Sequence, residues 1–279
     1  MRKKEKKTKN RDKNFYTIFG YILIIIGISL PLYGFWNMSY RNISAKSGYE
    51  KFVQESKNSA VDAKGIEDYN NKIKNNNIVD PFTAEDYSAT YDFYKENPDE
   101  VFAYLKIPKL GITKPIYLDA SYEHLDMGVA HIDGTSLPVG GVNRRSVIAG
   151  HRGWYRDLMF FNLHKLDVGD DVTIVRGDES LKYKVSDTEV ILPTDWEALQ
   201  PREGVDMLTL LTCERLRPPR PKRLLVNCVR VEDAPVAESA EDIKVDSSVK
   251  GLDILIYVVT IVLLALLVLT IFKFIKYIL

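Results

Sequence analysis

The chain has 279 residues, with 38 basic and 38 acidic side chains, so its formal charge is zero and its length allows one large domain or two small ones. The charge is unevenly spread: residues 1–14 hold 8 basic and 2 acidic side chains, while residues 38–251 hold 28 basic against 35 acidic ones. That net of −7 over the central portion argues against nucleic acid as a partner.

The first element after the basic tail is "FYTIFGYILIIIGISLPLYGFW", 22 residues (15–36) without a charge. At about 1.5 Å per residue it reaches roughly 30 Å, the thickness of a hydrocarbon core. A cleaved signal peptide is the alternative, but the run is long and the following "NMSYRN" offers no small-x-small cleavage site. Residues 44–73 are polar with sparse apolar positions and few breakers, which predicts surface helix held by packing. In "NNNIVDPFTAEDYSATYDFYKENPDE" (75–100), Pro81 excludes Asp80 from helical geometry, and Thr83 can cap a helix running to Tyr94.

From residue 101 the texture becomes β-like. Eight short runs stand out: "VFAYLKI", "KPIYL", "GVAHI", "RSVIAGH", "DVTIV", "LKYKVSDTEVIL", "DMLTLLTC" and "RLLVNCVRV". Turn residues such as "PKLG", "GTSLPVGG" and "VGDD" separate them, predicting a closed or nearly closed β-barrel. Short helical pieces are expected in "SYEHLD", "YRDLMFFNLHKL" and "DWEAL". Residues 232–251 read as a polar linker. A second apolar run follows, "LDILIYVVTIVLLALLVLTIF" (252–272), with one Asp at its start and Lys273 and Lys276 behind it. No LPxTG-like pentapeptide precedes it, so it reads as a retained anchor rather than a wall-sorting signal.

The expected layout is a cytoplasmic basic tail (1–14), a membrane span (15–36), an extracellular helical segment (37–100), the barrel (101–231), a linker (232–251), a second span (252–272) and a cytoplasmic tail (273–279). Basic flanks place both termini on the cytoplasmic side and the barrel outside.

The two cysteines differ in setting. Cys228 lies within an apolar run, whereas Cys213 ends a strand and faces "ERLRPPRPKR". A working thiolate wants cations nearby, and Arg223 is expected to lower the thiol pKa. If the two strands form a hairpin with residue 213 opposite 223, Cys228 lies opposite about residue 208, roughly 16 Å from Cys213 and too far for a disulfide. A thiol nucleophile also needs a proton carrier and oxyanion donors. Of the four histidines, His151 ends an apolar strand and enters the turn "HRGWY", at a barrel rim. His131 is a weaker rival, His164 belongs to a surface or structural helix, and His124 is expected to face solvent. No histidine–carboxylate spacing forms a metal ligand set, and no cofactor is expected.

Together, "GTSLPVGG…VIAGHRG", "LLTC" and "RLLV" resemble the sortases, membrane-anchored cysteine transpeptidases of Gram-positive surfaces, and above all their pilus-building class C. The resemblance runs from about residue 75 to 231. It implies a mostly β, sortase-type closed eight-stranded barrel with short helices, an N-terminal helical and lid segment, and two flanking transmembrane helices. It implies Cys213 as nucleophile, His151 as general acid and base, and Arg223 as the group that holds substrate or oxyanion. The substrates would be pilin subunits, one presenting an LPxTG-like signal cut at Thr–Gly and the next an acceptor lysine. "DPF" (Asp80, Pro81, Phe82) resembles the class C lid, in which Asp80 would pair with the arginine and Phe82 would cover the cysteine. One departure is the stretch "ERLRPPRPK", about a residue longer than usual and without the usual asparagine, which makes Arg215, Arg217 and Arg220 rivals to Arg223. Other readings are attachment of proteins to peptidoglycan, a scaffold ectodomain with an inert cysteine, and a plain cysteine peptidase.

Overall fold

The computed structural model describes residues 2–56, 63–73, 78–84, 87, 91, 99–153, 156–231 and 244–279, with side chains from Phe15 onward. The helix expected between Thr83 and Tyr94, and most of the expected linker, lie outside these residues. Two compact units are present, one formed by Met1–Arg41 with Gly251–Leu279 and the other by Asn42–Lys250.

The first unit takes in α1 (Arg2–Ser56) as far as Arg41 and α4 (Ser247–Ile278) from Gly251 on, two helices long and apolar enough to cross a membrane. They run antiparallel: the Tyr21 ring lies tilted beside those of Phe274 and Tyr277, and Ser39 Oγ lies 3.0 Å from Thr260 Oγ1. Apolar side chains such as Phe19, Leu23, Val262 and Leu269 point outward. That is the pattern of helices whose solvent is lipid.

The second unit is a closed barrel of eight strands: β1 (Ala103–Ile107), β2 (Ile112–Tyr117), β3 (Val129–His131), β4 (Arg144–Ala149), β5 (Asp171–Arg176), β6 (Glu179–Ile191), β7 (Asp206–Cys213) and β8 (Arg223–Arg230). Around the barrel the order is β1-β2-β3-β4-β7-β8-β6-β5, with β2–β3 and β4–β7 parallel and the other pairs antiparallel. Each expected strand is present, within two residues of its expected ends.

Strands β4, β7 and β8 read as near-continuous apolar runs because both their faces are covered. One core holds Leu105, Ile116, Ile148, Leu208, Leu210 and Val226. A second, on the opposite face, holds Ala149, Leu211 and Leu225, and is covered by Ile78 and Phe82 from the N-terminal segment. Outside the barrel lie α2 (Ala63–Lys72) and α3 (Tyr122–Met127), the latter capped by the Ser121 hydroxyl, which accepts from His124 N. Buried Arg145 ties the β6–β7 connection down, donating to the carbonyls of Ala198 and Gln200 and to Thr209 and Asn227.

The stretch "YRDLMFFNLHKL" departs from expectation. It forms only a 3₁₀ turn at Leu163–Lys165, with Met159 at φ 42°. Tertiary contacts override its helical pattern: Phe160 N donates to His151 O at 3.0 Å, and Lys114 reaches both oxygens of Asp157 at 2.6 and 2.8 Å. Lys114 and Asp157 are each only about 6–7% exposed at their side chains. Lys114→Met should therefore cost about 3–5 kcal/mol by leaving a buried carboxylate uncompensated. Thermal unfolding of the full chain in detergent checks this: the single variant should melt well below the native chain, and Lys114→Met/Asp157→Met should recover part of the loss.

Candidate active site

Three neighbouring strand ends converge at one rim. Cys213 closes β7 directly opposite Arg223, which opens β8. On the other side of β7 the parallel partner β4 ends at Ala149, opposite Leu211. Gly150 N then donates to Leu211 O at 3.0 Å, and the Thr212 hydroxyl donates to Gly150 O at 2.7 Å. His151 follows directly, so it emerges from the sheet beside the end of β7 that carries Cys213. Gly150 is required for this path, since a Cβ there would lie 2.7 Å from the Phe160 ring.

The cysteine and histidine are nearly closed off from water, at 4% and 8% exposure. Burial pushes the Cys213 thiol pKa up; Arg223, Arg220 and Arg152 pull it down, and Asp80 opposes them. The expected downward pull of Arg223 is present, but burial outweighs it and the net direction is upward. Burial, aided by the charge of Arg220, pulls His151 down to about 4 against the opposing pull of Asp126. In this closed arrangement both groups are neutral at pH 7.

Arg223 is the largest fully buried side chain, at 1% exposure. Its Nε donates to Asp80 Oδ1 at 3.2 Å and its Nη2 to Asp80 Oδ2, while Nη1 donates to the carbonyls of Arg220 and Lys222. Asp80 is held by its own turn, accepting from Phe82 N and the Thr83 hydroxyl, each at 3.2 Å. Pro81 keeps Asp80 itself out of helical geometry, while Thr83 N and Ala84 N donate to Asp80 O at 3.2 and 3.1 Å in the single turn that follows. The Phe82 ring lies 5.5 Å from the His151 ring, with the Arg223 guanidinium 5.4 Å over its centroid. Asp80 and Phe82 thus fill the rim between the groups that flank the thiol.

The other candidates lie elsewhere. His131 is fully buried, bonded to Tyr91, Thr135 and the Ser136 carbonyl, and burial lowers its pKa to about 4. His164 is exposed on the 3₁₀ turn. His124 is buried, not solvent-facing as its polar surroundings in sequence suggested. It stacks on Tyr117 at 4.8 Å and contacts Asp119 at 2.8 Å and Asp99 at 3.2 Å. Burial lowers its pKa, but the bonds to Asp119 and Asp99 outweigh that, and the net direction is upward. Both cysteines are free, and Cys228 is buried opposite Leu208. Arg215 and Arg217 are exposed on the loop, and Arg220 is half-buried.

Two groups at the rim were not singled out from sequence. Arg152 donates to the carbonyls of Cys213 and Glu214, at 3.3 and 2.6 Å, clamping the end of β7. Tyr122, on α3, presents its ring edge-on to His151 at 6.3 Å. The cation directly after the histidine in "HRG" is the one signal that could have pointed to Arg152.

Residues 105–231 match the sortase-domain family model. The crystal structure of sortase C-3 from Streptococcus pneumoniae is 40% identical, with 68% of this chain and 90% of that one covered at a TM-score of 0.59. The chain belongs to the sortase family of cysteine transpeptidases. It is also similar to a pilus-related sortase C of Group B Streptococcus, at 30% identity over 67% of this chain and 93% of that one, with a TM-score of 0.57. Sortase A of Bacillus anthracis is 23% identical over 209 residues, 72% of this chain and 88% of the relative.

Asp80→Asn removes the charge that opposes the cations around this sortase's thiol, so more thiolate should form at a given pH. Iodoacetamide labelling of Cys213, followed by mass spectrometry across pH 6–9, should shift to lower pH and speed up. Unchanged profiles would contradict the electrostatic account.

Proposed function

We propose that the chain is a pilus-class sortase that cuts an LPxTG-like signal between Thr and Gly and joins the acyl group to a lysine of the next pilin subunit. The observation that carries this reading is the placement of Cys213, His151 and Arg223 on three adjacent strand ends under the Asp80–Phe82 cap. The likeness to sortase C structures supports the pilus assignment.

The chemistry follows from the roles assigned to these groups. Cys213 Sγ, losing its proton to His151, attacks the threonine carbonyl carbon. Arg223, fork-shaped and always charged, stabilises the oxyanion or holds the adjacent backbone once Asp80 has left it. His151 then delivers the proton to the glycine nitrogen as the C–N bond breaks, leaving a thioester. A neutral lysine amine attacks that thioester, His151 takes up its proton, and the thiol is regenerated as the isopeptide forms. Asp80, Pro81 and Phe82 act as a lid: with Asp80 on Arg223 and Phe82 against His151, the rim is filled and the neutral pair idles. Scarcity of water favours the amine over hydrolysis.

Basic residues 2–13 and Lys273 and Lys276 flank the two apolar helices. The positive-inside bias then leaves both termini cytoplasmic and the barrel on the outer face of the membrane.

The test is mass spectrometry of the full chain in detergent with an LPxTG-type peptide and a lysine-bearing pilin peptide. An amide-linked product should form, vanish in Cys213→Ala and increase at least several-fold in Phe82→Ala. Joining to a peptidoglycan amine in place of lysine would redirect the reading to wall attachment. Release of acid alone would make the chain a peptidase.

A further inference from the structure

The loop joining β7 to β8, residues 214–222, reads "ERLRPPRPK". With Arg152 and Arg223 it gathers six cations (Arg152, Arg215, Arg217, Arg220, Lys222, Arg223) at the rim that carries Cys213, where the described acids are Asp80, Glu214 and, near His151, Asp126. These acids are already engaged, Asp80 with Arg223, Glu214 with Arg215 Nε at 3.4 Å and Asp126 with Arg156 at 3.3 Å. Arg152, Arg217, Arg220 and Lys222 have no carboxylate within ion-pairing distance among the described residues. This surplus sits on a portion of chain whose own net charge is −7. Clustering like charges in one short loop costs self-repulsion, so the cluster is not a by-product of overall composition.

The loop also holds its shape. Its base is closed by Glu214 N donating to Lys222 O at 3.0 Å, and Arg220 Nη2 donates to Leu216 O at 2.6 Å. Pro218, Pro219 and Pro221 restrict the backbone further. Arg217 and Lys222 are exposed. Independently, the Nε donors of Arg152 and Arg220 are buried with no hydrogen-bond acceptor among the described residues. A buried donor without an acceptor costs about 1–3 kcal/mol, a cost that an arriving acceptor oxygen would relieve.

Resting on the transpeptidase reading, we infer that this loop and Arg152 form a carboxylate-binding subsite for an acidic residue beside the acceptor amine. An acceptor lysine is itself a cation in solution and is repelled by an uncompensated basic rim. A neighbouring carboxylate offsets that repulsion, engages the cations and brings the amine to the thioester. The uncharged part of a sorting signal has no such need.

The experiment uses the full chain in detergent, carrying Phe82→Ala, with sorting peptides bearing Glu or Gln at the variable position. Acceptors are lysine peptides flanked by Glu or by Gln, and hydroxylamine serves as a small acceptor without flanks. The Glu-flanked acceptor should show a kcat/KM about threefold to tenfold above its Gln counterpart. High salt should erase the preference, and so should Arg217→Gln/Lys222→Gln. That double variant should leave hydroxylamine cleavage of the sorting peptide unchanged. Normal hydroxylamine cleavage with equal rates for both acceptors would overturn the subsite alone. So would a preference that follows only the residue in the sorting peptide. Absence of hydroxylamine cleavage in every form would overturn the transpeptidase reading and this inference with it.

Discussion

Strand β7 is hydrogen-bonded on both sides, parallel to β4 and antiparallel to β8, and the site's geometry depends on those two registers. A slip of one residue in either would turn every side chain of the moving strand to the opposite face. Slippage is resisted because both faces are buried, with Leu208 and Leu210 in one core and Leu211 in the other. Cys213, Arg223 and the chain leading to His151 are therefore placed by core packing far from any substrate. The Thr212 hydroxyl and the Arg152 guanidinium add local ties at the point where β4's course leaves the sheet.

On this frame the electrostatics are decided by desolvation. Cations surround the thiol, yet burial outweighs them and keeps it protonated, with the Asp80 charge opposing them as well. The same burial keeps His151 neutral. The Arg223 guanidinium is compensated by Asp80 across 143 residues of sequence. Breaking a buried pair of this kind leaves a buried charge exposed to its full desolvation penalty, which makes the paired arrangement a well-defined resting state. In the proposed mechanism, displacing Asp80 and Phe82 and activating Cys213 are thus coupled through solvent.

Much of this was legible from residue patterns. Apolar runs bounded by Gly, Pro and Asp gave the eight strands, and the offset between residues 213 and 228 correctly placed Cys228 opposite Leu208. The failures share a cause. The apolar pattern of residues 155–166 suggests a helix, but Phe160 bonds back to His151 and Asp157 is held by Lys114 from β2, 43 residues earlier. His124 reads as a surface residue because neither the Tyr117 ring stacked on it nor its partner Asp99, 25 positions upstream, is signalled by its polar neighbours in sequence. For Arg152 the sequence offers only its place after the histidine in "HRG", because its bonds are to backbone carbonyls, which carry no sequence signature. Local periodicity reports local partners; these residues answer to distant ones. Asp80 and Phe82 were singled out only through a resemblance, since nothing within "DPF" points to Arg223.

The Asp80–Arg223 contact also sets a threshold for whatever replaces it. A carboxylate attached to the same chain competes as an intramolecular ligand, at an effective concentration that reaches millimolar for short flexible tethers. A free peptide in dilute solution starts at a disadvantage set by that concentration and by the strength of the tethered contact. A substrate held on the same membrane surface, confined to two dimensions, escapes much of it. On the proposed function, anchoring enzyme and substrate in one bilayer would act as a filter, admitting encounters within the membrane plane over soluble peptides that carry the same few residues.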